Sequence, residues 1–151
     1  MSGSTCRMDG FTLVELIATV VLVAILATIA IPSYQSYVRR AIVADVQQEM
    51  LSVSILLEQH KARNFNYKGF DIVDFQMAEN TPNAYQIRIV DLDAAVSLSS
   101  DAASGRHWAM LAIPKNPENE QILLNSLGHR CKSKTSIVDY QHCDGTDAEA
   151  W

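Results

Sequence analysis

The sequence predicts an α+β chain in which one long N-terminal helix, membrane-spanning in its first half and amphipathic in its second, packs against a small antiparallel β-sheet head. Three observations carry this. Residues 11–31 form an apolar run with a single charge, Glu15. Val38, Ile42, Val46, Met50, Val53 and Leu57 then recur at spacings of four and three, which is one helix face. From Tyr85 onward, short β-rich runs alternate with turn residues.

At about 1.5 Å per residue, a helix over 11–31 spans about 30 Å, the thickness of a bilayer's hydrocarbon core. A carboxylate inside such a span is costly, so Glu15 is a functional candidate by default. Pro32 bends a helix without ending it in a membrane setting, and the helix is expected to continue over 32–62. Arg39, Arg40, Asp45, Gln48, Glu49, Glu58 and Lys61 fall mostly off the apolar stripe. Tyr34 and Tyr37 stand where aromatics favour the membrane interface.

Residues 63–84 read as a connecting loop, punctuated by Asn64, Asn66, Gly69, Asn80, Pro82 and Asn83. Phe65, Tyr67, Phe70 and Phe75 imply that it packs on something; a partner-contact surface is the functional alternative. The head is assigned to 85–151. Strands are expected at 85–90, more weakly at 95–98, at 107–113 stopped by Pro114, and at 121–125 before a turn at Leu127-Gly128. In the first of these, Tyr85, Ile87 and Ile89 share a face.

Residues 1–10 are short and polar, and the apolar run follows them, so they do not read as an ordinary secretory signal. Gly10-Phe11-Thr12-Leu13-Val14-Glu15 resembles the cleavage motif of the type IV pilin family, which includes minor pilins and secretion pseudopilins. The resemblance implies a leader over 1–10, cut after Gly10 by a prepilin peptidase, and N-methylation of Phe11. It implies that Glu15 neutralises the amino terminus of an adjacent subunit and so sets axial register. Pro32 matches a proline common in the family. Asp9 departs from the family's usual basic residue, and Arg7 is a substitute charge. Met8 is an alternative start, which would omit Cys6.

Charge counting leaves orientation open, since Arg7 precedes the span and Arg39 and Arg40 follow it. The resemblance and the distal Cys131 and Cys143 place the head outside the cytoplasm. Pilin heads commonly close their C-terminal region with a disulfide, which implies a Cys131–Cys143 bridge. The resemblance also implies other pilin subunits, the peptidase and an inner-membrane assembly platform as partners.

Little else in the sequence points to chemistry. It has no Gly-rich phosphate loop and no hydrolase or zinc-protease motif, so no enzyme activity and no cofactor are expected. His129, Cys131, His142 and Cys143 are poorly spaced for zinc, and Asp144 and Asp147 read as a solvated turn rather than a calcium loop. The formal net charge of −5 argues against nucleic-acid binding as the main task. One local basic cluster, His129, Arg130, Lys132 and Lys134, keeps DNA contact open, because some minor pilins bind DNA. The reading is a pilus structural subunit. The alternatives are a type II secretion pseudopilin or a single-span anchored periplasmic binding protein. Amino-terminal sequencing of the mature chain from its host should begin at N-methyl-Phe11; retention of Met1 or Met8 would overturn the assignment.

Overall fold

The computed structural model describes residues 11–71, 75–77, 84–135, 137, 139–143 and 147–151. The expected leader, with Cys6 and Gly10, lies outside the described residues, as do Asn80, Pro82, Asn83 and Asp144. The chain divides into two units, Met1–Val38 and Arg39–Trp151. Helix α1 is assigned over Leu13–Asn64, with Pro32 inside it. In the first unit its apolar side chains are exposed all round. The helix is long and apolar enough to cross a membrane. Thr19 and Thr28 hydroxyls donate to the carbonyls of Leu16 and Ile25 at 2.8 and 2.7 Å. Their polarity is thus satisfied within the helix, which a hydrocarbon setting requires.

Among the described residues of the second unit, six strands form one antiparallel meander in sequential order. They are β1 (Phe75–Met77), β2 (Tyr85–Asp91), β3 (Trp108–Pro114), β4 (Gln121–Asn125), β5 (Arg130–Ser133) and β6 (Glu149–Ala150). Val46, Met50, Val53 and Leu57 of α1 are buried against Tyr85, Ile87, Trp108, Met110, Ala112, Ile122 and Leu124. Ile42 packs on the margin of the same cluster. The predicted stripe therefore is the buried face, and period-two alternation supplies its partners from β2, β3 and β4.

The other face of the sheet is covered as well. Leu111 and Leu123 bury with Ile137, and Ile113, Tyr140, Cys131 and Cys143 pack around them. Residues 108–112 of β3 are consequently buried on both faces. Two side-chain amides hold this tail. Asn125 Nδ2 donates to the carbonyls of Tyr140 and Gln141, while its Oδ1 accepts from the backbone N–H groups of Leu127 and His129. Gln121 Oε1 accepts from Ile137 N–H at 2.9 Å.

Several expectations need correction. The segment 95–98 is not a strand. Ala95 adopts φ 54°, outside the β region, and Leu98 is buried as a plug in the core cluster. The turn is organised by Asp91, which is fully buried. Its carboxylate accepts from the backbone N–H groups of Asp93, Ala94 and Gly105 and from the Ser104 hydroxyl. Strand β1 lies inside the expected connecting loop and pairs with β2, Phe75 opposite Ile87. Strands β5 and β6 were not foreseen in a polar stretch. Pro114 is the last residue of β3 rather than its stop.

Two stability predictions follow from this packing. Leu57→Ala, which empties the centre of the helix–sheet contact, should cost about 2–5 kcal/mol in denaturant unfolding. For Asp91, burial pushes the carboxyl up, but its donors outweigh that and hold it below the ordinary value. A folded pKa below the unfolded one contributes stability above the unfolded pKa of about 3.9 and loses it as pH falls through the folded value. Asp91→Asn should therefore lower stability at neutral pH by about 1–3 kcal/mol, because an amide cannot accept all of these bonds. It should also flatten the acid limb of a stability–pH profile.

Candidate functional site

The first candidate surface is the start of α1. Thr12 is its N-cap: the Thr12 hydroxyl accepts from Glu15 N–H at 3.3 Å, and the Thr12 carbonyl accepts from Leu16 N–H at 3.2 Å. Thr12-x-x-Glu15 is the capping-box pattern, so the helix start is written in the sequence beside the cleavage motif. Glu15 stands in the first turn, where the helix dipole favours an anion. Phe11 and Glu15 are both exposed within this chain, and so is Pro32.

The second is the β5 edge. Cys131 and Cys143 are joined by a disulfide, which takes both thiolates of the imagined zinc set. Among the described residues no group of three or more His, Cys, Asp or Glu side chains is gathered to hold a metal. Asp147 instead caps the turn after β5. It accepts from the N–H groups of Lys134 and Thr135 and from the Thr135 hydroxyl, and these bonds hold its carboxyl at about 2.

The basic cluster is less basic in space than in sequence. Lys132 Nζ lies 3.1 Å from both Glu120 and Glu149. Partial burial pushes its pKa down, but the two carboxylates outweigh this and raise it. Its charge is therefore spent on two anions within the head. Arg130 is exposed and lies over the Trp151 ring at 5.7 Å. Trp151 donates its indole N–H to the Cys131 carbonyl at 3.2 Å. His129 and Lys134 are exposed.

A third surface was offered from the sequence only as the alternative to packing. At the end of α1, Phe65 is 90% exposed with φ 59°. Tyr67 and Phe70 do pack. Tyr67 is buried, with its hydroxyl donating to Glu58 at 2.7 Å, and Phe70 meets His60 edge-on at 5.4 Å. Burial pushes the Tyr67 hydroxyl above its ordinary pKa, reinforced by Glu58.

A family model described as "Type IV minor pilin ComP, DNA uptake sequence receptor" matches residues 32–132. That is most of the chain, including the amphipathic part of α1 and strands β1–β4. The chain belongs to this minor-pilin family. A second model, the prokaryotic N-terminal methylation motif, matches residues 7–31. The pilin is 41% identical over 52 residues to prepilin peptidase-dependent protein D of Escherichia coli (strain K12), covering 34% of this chain and 36% of that protein. It is 52% identical over 40 residues to the type IV major fimbrial protein FimA of Dichelobacter nodosus, 26% of each. The pilin thus spans about a third or less of the length of these curated relatives. No solved structure matches it. It is a type IV pilin-family chain that carries the N-terminal methylation motif and an N-terminal helix long and apolar enough to cross a membrane.

The disulfide pins the tail that covers the back of the sheet. Closing a loop of 12 residues' separation is worth about 3 kcal/mol in the chain-entropy model. Replacing both cysteines with serine should lower unfolding free energy by about that amount, measured by denaturant titration, while α1–sheet packing persists in far-UV circular dichroism.

Proposed function

We propose that this minor pilin is a DNA receptor of the pilus, anchored as a single span in the inner membrane with its head in the periplasm before assembly. The observation that carries the DNA reading is the match of residues 32–132, which take in the second half of α1 and much of the head, to the uptake-sequence receptor family. Cleavage after Gly10 frees the Phe11 amine for methylation. Glu15, about one helical turn further on, then meets the amine of a neighbouring subunit, and opposite charges attract strongly in a low-dielectric bundle. An assembly platform in the inner membrane moves the subunit from lipid into that bundle. Pro32 supplies the local freedom of a helix that must pack in two settings.

The proposed DNA contact draws on few cations, since the formal net charge is −5 and Lys132 is engaged. Arg130 and Lys134 remain the exposed members of the sequence cluster. Two measurements test the reading. The detergent-solubilised full chain should retard DNA in a gel, with affinity falling as salt rises; no binding at low salt would reject the receptor role. Glu15→Ala should leave insertion and head folding intact but reduce incorporation into sheared pili severalfold by immunoblot, and undiminished incorporation would remove Glu15 as the register residue.

A further inference from the structure

Phe65 occupies a position the fold does not need it to occupy. Its N–H donates to the Lys61 carbonyl at 2.7 Å, which closes α1, and φ 59° puts it in the left-handed region. This is the C′ position, where glycine or asparagine is usual, because a Cβ is strained there. When a hydrophobic residue takes that position it usually packs back on the last turn. Here the facing residue three before the cap is Lys61, and Phe65 is 90% exposed. The ring therefore contributes no burial to offset its backbone strain.

Its surroundings say what it fits. Asn64 and Asn66 flank it, and Arg63 and Lys68 lie just outside them, all exposed except the half-buried Asn66. Lys61 Nζ is held over the Tyr67 ring at 4.7 Å and 3.3 Å from its hydroxyl. Lys68 Nζ is tied to the Asp101 carbonyl at 2.8 Å. Glu58 is taken by the Tyr67 hydroxyl. The loop beneath is fixed. Tyr67 N–H donates to the Gly105 carbonyl, Gly69 N–H to the Leu98 carbonyl, and Asn66 Nδ2 to the Ser104 carbonyl. Gly105, at φ 64°, lies so close under Asn66 that a Cβ there would strike its side chain. The ring is thus presented from a braced loop in a segment whose cations are Lys61, Arg63 and Lys68.

A protein-docking anchor would sit in an apolar patch. The nearest exposed large apolar residues on the same helix, Ile55 and Leu56, are about two and a half turns back. A lone aromatic between Lys and Arg side chains is instead the pattern that stacks on bases while cations take phosphates. We propose that Phe65, with Lys61, Arg63 and Lys68, is a DNA-contact corner of this pilin, Phe65 stacking on or wedging beside a base. This rests on the receptor reading above and moves its main contact from β5 to the end of α1.

The test uses the full chain in detergent and short fluorescein-labelled duplexes cut from the host's own genome, read by fluorescence anisotropy across a salt series. Phe65→Asn suits the left-handed backbone, so its melting temperature should match or exceed wild type while DNA affinity falls about tenfold. Its salt slope should stay unchanged. Phe65→Trp should keep affinity and show indole quenching on DNA addition beyond that of wild type. Arg63→Gln should reduce the salt slope by about one. If wild type binds and Phe65→Asn binds equally well, the corner is wrong and the receptor reading stands. If wild type fails to bind at low salt, the receptor reading fails and takes the corner with it. If Phe65→Asn keeps DNA affinity but is lost from pili, Phe65 is a subunit contact and the corner is overturned.

Discussion

The head depends on one contact, the stripe Val46, Met50, Val53 and Leu57 of α1 against the inner face of β2, β3 and β4. An isolated antiparallel sheet needs a packed face, and this stripe gives the sheet its larger one. The contact also fixes register. A one-residue slip of β3 would turn Met110 and Ala112 away from the helix and bring Leu111 towards it. Residues 111 and 123 are already committed to the other face, beneath Ile137 and the disulfide. The two clusters therefore hold the same strands in place from opposite sides. The tail, polar as it is, is part of what defines the sheet.

What was legible in the sequence is what periodicity encodes. The stripe in α1 and the alternation in β2 were readable because burial repeats at 3.6 or 2 residues. Strands β1, β5 and β6 were not, because they are short and their pairing is made by backbone groups that no side-chain pattern reports. Arg130-Cys131-Lys132-Ser133 carries little β propensity, yet the Asn125–Gly128 turn folds it back on β4. The segment 95–98 was misread for the opposite reason. Leu98 is a real core residue, but Asp91 holds the backbone before it in a turn. The sequence shows Asp91 only as one acidic residue among many; the donors that collect on it come from 93, 94, 104 and 105.

The candidate site divides in the same way. The cleavage motif is local in sequence and was readable by resemblance, whereas the Thr12–Glu15 cap, although local too, went unread until the structure showed it. Charge was not readable either. Lys132 reads as part of a basic run but is bracketed by Glu120 and Glu149, one from β4's approach and one from β6. Phe65 had the reverse fate. It was grouped with Tyr67 and Phe70 among aromatics expected to pack, with partner contact as the alternative, and only the positive φ and the exposure separate it from those two.

These two reassignments bear on the proposal that an acidic head contacts DNA. Non-specific DNA binding comes almost wholly from phosphate neutralisation, and it grows with the number of phosphates contacted. A head with formal net charge −5 in its parent chain, and with one cation of its main basic run already paired, is poor at that. Its affinity has to come from a few contacts whose strength depends on the bases. Stacking, groove width and hydrogen bonds to base edges fall away on the wrong sequence, whereas phosphate contacts persist. Low net positive charge thus weakens binding everywhere except at a matching site, which raises the ratio of specific to bulk binding. That ratio, rather than tight binding itself, is what the proposed receptor role would require.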